Sequence, residues 1–153
     1  MEQHGPHLPL STDVFLAYTI CVKAAEKIPS ESVVLPPVYY GFNEHHMDFP
    51  GTISIDWDHF INYVFDIGKS LARHGFRRII IVNGHGSNIP FLDIVARRIT
   101  NETPAICAMI PWWNLTLDVI PNIRESEFPG GMAHACELET SAWLYLKPEA
   151  VYM

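Results

Sequence analysis

Basic residues are scarce in this sequence: 10 Lys and Arg stand against 17 Asp and Glu in 153 residues, a formal net charge of −7 with histidine neutral. A chain that binds nucleic acid or an anionic membrane surface needs a basic stripe, and none is present. The short groups Arg73/Arg77/Arg78 and Arg97/Arg98 read as solvated helix faces and ends. No apolar run approaches the roughly 20 residues of a membrane span. No Lys/Arg-led apolar segment opens the chain as a signal peptide would. Cysteine is limited to Cys21, Cys107 and Cys136, an odd number with no CxxC pair. That argues against a disulfide scaffold or a thiolate zinc cluster and fits a reducing cytoplasm. Repeats, low-complexity tracts and linkers are also missing, and the length suits a single domain over 1–153.

What remains is globular: 48% hydrophobic and 18% charged residues, with eight histidines. Ser11 or Thr12 can cap a helix running from about Asp13 to Lys27, before Pro29. SVVLPPVYY reads as a short strand bent by Pro36 and Pro37, GFNEHHMDFPG as a loop and TISI as a short strand or strand start. Asp56 can cap a helix from about Trp57 to His74, whose apolar residues recur with a period near 3.6, and Gly75 is placed to end it. Ile79 to Val82 is the clearest strand. Its unbroken β-branched run predicts burial on both faces, as in a parallel sheet. A helix from about Asn88 to Thr100, a buried strand in PAICAMIPWW and a last helix in HACELETSAWLYLKP complete the pattern. Strands alternating with helices predict an α/β layer fold with a mainly parallel sheet.

Metal-competent side chains gather in four places. Glu2 and His4, two apart in an extended stretch, point to one side. Asp13 falls in the first turn of the first helix. His85, within Asn83-Gly84-His85-Gly86-Ser87-Asn88, follows the clearest strand, and ligand sites of open α/β sheets lie at the carboxyl ends of strands. His134 and Glu137 are three apart and would share a helix face, with Glu139 pointing elsewhere. Singly, each has a bland reading: a hydrogen-bonded histidine, a helix-N-terminal acid suited to the macrodipole, a tight turn. As a set, carboxylates and imidazoles without thiolates suit Zn²⁺, Mn²⁺ or Fe²⁺. About five ligands, including an Asp able to bridge, exceed the need of one catalytic ion and suit a two-metal site with a shared water.

At these residues the sequence resembles the creatininase family. The matching segments are EQHGPHLPLSTD at 2–13, GFNEHHMDFPGTISI at 41–55, NGHGSN at 83–88 and HACELETS at 134–141. The resemblance implies a three-layer α/β/α fold, two divalent metal ions per chain (Zn, Mn or Fe) and hydrolysis of a non-peptide C–N bond in a small-molecule amide, cyclic amide or formamide. Carried over position by position, it implies that Glu2 and His85 bind one metal, His4 the other, that Asp13 bridges them, and that Glu137 completes the second metal. In creatininase proper that last ligand is a Glu two residues after the NGH histidine. Here the position is Ser87, which argues against creatinine as substrate. His134 matches the family's active-site histidine that moves the proton without binding metal. His46 matches the histidine of the loop before FPGT and is expected to line the pocket. Trp112 and Trp113 follow a buried strand, so at least one of them reads as core; they can also stack on a planar heterocycle, with Trp113 the candidate pocket residue. Cys136 stands where the family usually has Gly.

The resemblance further implies a homo-oligomer, a hexamer, while the charge balance predicts no nucleic-acid or membrane partner and the cysteine content a cytoplasmic protein. Relatives carry a first strand before the EQHG motif and continue beyond the last helix, so the sequence reads as a fragment of a longer family domain. The rival reading is a non-catalytic remnant acting only as an interaction partner. A third is a structural single-zinc protein, which metal stoichiometry separates from the first.

Overall fold

A computed structural model describes residues 1–128 and 130–152. After a looped N-terminal segment, the chain forms α1 (Thr12–Ala25), α2 (Trp57–Arg73), β1 (Arg78–Asn83), α3 (Ile89–Glu102), β2 (Ile106–Pro111), the short α4 (Ile120–Ile123) and α5 (Glu137–Leu146). Strands β1 and β2 pair in parallel, from Arg78↔Ile106 to Asn83↔Pro111, with α3 as the crossover. Helices cover both faces of the sheet, giving the α/β/α layering the sequence predicts.

The expected apolar periodicity of α2 is what buries it: Phe60, Ile61, Val64, Phe65 and Ala72 form one stripe. That stripe meets Leu92, Val95 and Ile99 of α3, with Ile79, Ile81, Cys107 and Met109 of the strands packed beneath. Gly75, at φ +97°, ends α2 in a conformation that costs glycine little. On the other face Leu8, Leu16, Trp112 and Trp143 form a second cluster, joining the N-terminal loop, α1, β2's far end and α5, with Val82 packed against it.

Four expectations are corrected. Residues 32–40 form an extended segment outside any strand: Pro36 and Pro37 lack the N–H that a ladder requires. TISI contributes a single parallel bridge, Gly41 to Ser54. Burial on both faces of the sheet is incomplete, since Ile80 is 66% and Ile106 70% exposed. The last helix starts at Glu137, three residues later than expected. Ala135 takes a left-handed φ of +51° and Cys136 is extended, so the chain turns sharply before the helix begins. Among the described residues no helix is long and apolar enough to cross a membrane.

Candidate metal centre

The N-terminal motif folds back on itself. Glu2 N–H donates to the Leu10 carbonyl at 3.0 Å and Leu8 N–H to the His4 carbonyl at 3.2 Å, with Gly5 at φ +60° making the turn. Gln3 N–H donates to Thr52 Oγ1 at 3.1 Å, and Trp143 Nε1 to Thr12 Oγ1 at 3.0 Å. These ties seat Glu2 and His4 in the interior, 0% and 1% exposed. The segment 83–88 is fixed from within. Asn83 Nδ2 donates to the His85 carbonyl at 2.8 Å while its Oδ1 accepts from His85 N–H at 3.1 Å. Asn88 Oδ1 accepts from Phe42 N–H at 3.0 Å, which anchors the loop carrying His45 and His46. Gly84 lies so close to α1 that a Cβ there would fall 2.3 Å from the Asp13 carbonyl oxygen. Only glycine permits this approach, and it is what sets Asp13 beside His85.

Carboxylates and imidazoles converge as a result. His4 Nε2 lies 3.1 Å from Asp13 Oδ1 and 3.7 Å from Glu139 Oε1. His85 Nδ1 lies 2.7 Å from Glu2 Oε2 and 3.3 Å from Asp13 Oδ2. Asp13 thus presents one oxygen to each imidazole. His46 Nδ1 contacts Glu2 Oε1, and the His134 ring stands 4.2 Å from that of His4 and 4.5 Å from that of His46. His134 Nε2 is 2.6 Å from the Gln3 carbonyl, which can only accept. The proton therefore sits on Nε2, leaving Nδ1 as the basic nitrogen, 3.6 Å from Glu2 Oε1.

The charges are shifted accordingly. Burial opposes a charge on His4, but Asp13 and Glu139 outweigh it and raise its pKa to about 10. Burial likewise opposes a charge on His85, and Asp13 and Glu2 raise it to about 9. Asp13, despite burial, is held well below the usual carboxylate range by His4 and His85. His134 moves the other way, lowered by burial and by the neighbouring His4.

Glu137 does not join this cluster. Its carboxylate accepts from Glu125 N–H at 2.7 Å and Ser126 N–H at 2.8 Å, bracing the loop before α5, and these bonds to the ionised form lower its pKa. The expectation that Glu137 faces the cavity one helical turn after His134 fails because His134 lies outside the helix. Glu139 takes that place. It is buried, with Oε2 accepting from Ala135 N–H at 2.6 Å in the manner of a third-position glutamate capping a helix start, while Oε1 faces His4. The Glu139 location follows from where the helix begins, a boundary set by the turn at Ala135 and not by any capping residue in the sequence. His45 was also passed over. The Glu44-His45-His46 run beside FPGT was the available signal, and the ring stacks on His85 with centroids 5.6 Å apart. Trp113 packs against the second apolar cluster, edge-on to Trp112.

The donor set fits divalent ions. Glu2, Asp13 and Glu139 are all buried, and among the described residues none forms an ion pair with Lys or Arg, only with histidines. Buried carboxylates need compensating positive charge. His85 Nε2 is buried without a hydrogen-bond partner. His4 Nδ1 lies 3.0 Å from the Glu2 carbonyl, an outer contact that fixes the neutral tautomer with Nε2 free for an ion. Four trios of donors lie within 4.8 Å of one another, among them Glu2/His4/Asp13 and His4/His134/Glu139.

The creatininase family model, described as creatinine amidohydrolase, matches residues 1–153. The chain belongs to the creatininase family. Creatinine amidohydrolase of Pseudomonas putida is 32% identical over 167 residues, spanning 99% of this chain and 63% of that protein. A mycofactocin precursor peptide peptidase of Mycolicibacterium smegmatis is 33% identical, spanning 98% of this chain and 56% of that protein. A solved creatininase structure in a manganese form matches with a TM-score of 0.86 at 32% identity, covering 99% of this chain and 63% of that one. The chain thus spans 63% and 56% of the lengths of these two curated relatives.

Proposed function

We propose that the protein is a metal-dependent amidohydrolase acting on a non-peptide C–N bond of a small amide, cyclic amide or formamide. The observation that carries this reading is the buried convergence of three carboxylates with His4 and His85, with no Lys or Arg paired to them among the described residues. Glu2, Asp13 and His85 would hold one divalent ion, and His4, Asp13 and Glu139 the other, with Asp13 shared. Zinc and manganese both suit these oxygen and nitrogen donors, and the relative solved in a manganese form supports the choice. When bound, such ions lower the pKa of a shared water towards neutrality and polarise the scissile carbonyl.

The chain's own residues do the rest. His134 is pinned through Nε2 and accepts a proton on Nδ1, then returns it to the leaving nitrogen. Its lowered pKa keeps it neutral, hence basic, at pH 7. His46, at the half-buried edge of the cluster, supplies a ring nitrogen beside the reacting groups. Glu137 is assigned to bracing the 124–131 loop, and Trp113 to apolar packing at the end of β2.

The test is turnover of a panel of small amides, cyclic amides and formamides by the metal-saturated protein. His134→Ala should lower turnover by about 10²–10⁴-fold with metal content unchanged, the span of a positioned acid–base group. A variant that loses metal, or keeps full turnover, contradicts the role.

A further inference from the structure

His45 lies outside the residue set so far assigned to the two ions, yet its ring stacks on that of His85. It sits on the turn Glu44–His46, with Nε2 3.9 Å from Glu2 Oε1 and its ring nearly parallel to that of His85, at 22°. Its donor atom converges with those of Glu2 and His85 within 4.8 Å. Donor atoms bound to one zinc ion at about 2.0–2.2 Å are at most about 4.4 Å apart, and the His45–Glu2 separation satisfies that limit. Ser87 Oγ lies 3.4 Å from His45 Nδ1, the nitrogen that stays free for a hydrogen bond when Nε2 is the donor to an ion. A further feature points to a ligand here: His85 Nε2 is buried and carries no hydrogen bond.

We infer that His45 is an additional imidazole ligand of the ion held by Glu2, Asp13 and His85, with the Ser87 hydroxyl orienting its ring. The inference rests on the proposed two-ion reading. An imidazole at this place would close the outer side of an ion whose inner side is carboxylate. It sits on a loop anchored beside the end of β1 by the Phe42 N–H to Asn88 Oδ1 bond and by the Ser87 contact. The serine then has a task that a hydroxyl performs well, a hydrogen bond to a ligand, in place of one it performs poorly, binding the metal directly.

The experiment titrates the metal-free full chain with Co²⁺ alone, following visible absorption, with a competing chelator to set affinities. Wild type should take up about two equivalents, as a shared-water two-metal site requires. His45→Ala should weaken one equivalent by about 10- to 100-fold, the range seen for partners of a metal site, and change its visible band while leaving the other untouched. His45→Glu, which restores a donor, should recover affinity with a different band. Ser87→Ala should weaken the same equivalent, by less. Far-UV circular dichroism of each metal-free variant confirms folding. If His45→Ala binds both equivalents with wild-type affinity and spectrum, the ligand role is overturned, and a raised KM alone would make His45 a substrate contact instead. Wild type binding fewer than two equivalents would count against the two-ion reading itself, a failure read before any variant is compared.

Discussion

Two glutamates two positions apart have opposite roles because a helix starts where it does. Glu137 Oε1 and Oε2 bond to the Glu125 and Ser126 amides, whereas Glu139 turns inward to His4. Glu139→Gln should therefore lower the affinity for one ion by about 100-fold or more, the upper end of what loss of a metal-site partner costs. Glu137→Gln should leave both ions in place and loosen the 124–131 loop, seen as faster proteolysis there. Elemental analysis after dialysis separates them, and the reverse pattern would reinstate Glu137. The histidines give a second residue-scale expectation. With His4 raised to about 10 and His85 to about 9, both are charged at pH 7 in the metal-free chain. Ligands bind as neutral imidazoles, so metal uptake should release about two protons. Calorimetry in buffers of differing ionisation enthalpy measures this, and release near zero would show that these rings are neutral beforehand. In the metal-free chain the same raised values give stability that is full below the unfolded histidine value of about 6.5 and lost as pH rises towards 9 and 10. Asp13, depressed, contributes in the opposite direction, with stability present above its unfolded value of about 3.9 and lost in acid.

Elements were legible where one periodicity ran unopposed. The 3.6-residue stripe of α2 and the Ile79–Val82 run located α2 and β1 to within about a residue or two, the usual uncertainty of element ends. They were illegible where a single backbone angle decided the outcome. No apolar pattern announces that Ala135 adopts φ +51°, the turn that takes His134 off α5 and faces Glu139, not Glu137, toward His4. Residues 32–40 show a strand's composition without a strand's pairing, since composition says nothing about the neighbour a ladder needs. Most of the candidate cluster is legible in the sequence because it is carried by short motifs. Glu2, His4, Asp13, His85, His46 and His134 all fall in one cluster. At this scale Gly84 is the critical contact between β1's end and α1. Gly84→Ala should destabilise by about 1–3 kcal/mol through overpacking against backbone that cannot yield, and should weaken both ions by displacing Asp13. Thermal unfolding with and without metal measures both effects, and a neutral variant would show that the α1 contact does not position the site.

The whole molecule divides into a face that holds the structure and a rim that gathers the candidate donors. The α2/α3 core lies away from the cluster, so Ile99→Ala, at a side chain with no exposure, should destabilise by about 2–5 kcal/mol while leaving metal stoichiometry unchanged in the folded fraction. The other core, under α1 and α5, carries the groups that seat the ligands, through Trp143 on Thr12 and Glu139 at the start of α5. Membership of the creatininase family then explains why the same few segments dominate both sequence and site. The account's central claim is a pair of divalent ions sharing Asp13, with Glu139 completing the second. A crystal structure of the metal-saturated protein, with anomalous scattering to locate each ion, tests it most directly. Two ions should appear, one among Glu2, Asp13 and His85 and one among His4, Asp13 and Glu139, with carboxylate oxygens about 2.0–2.2 Å from zinc. A single ion, or Glu139 oxygens beyond about 3 Å from both, far outside any direct carboxylate–zinc bond, would contradict it.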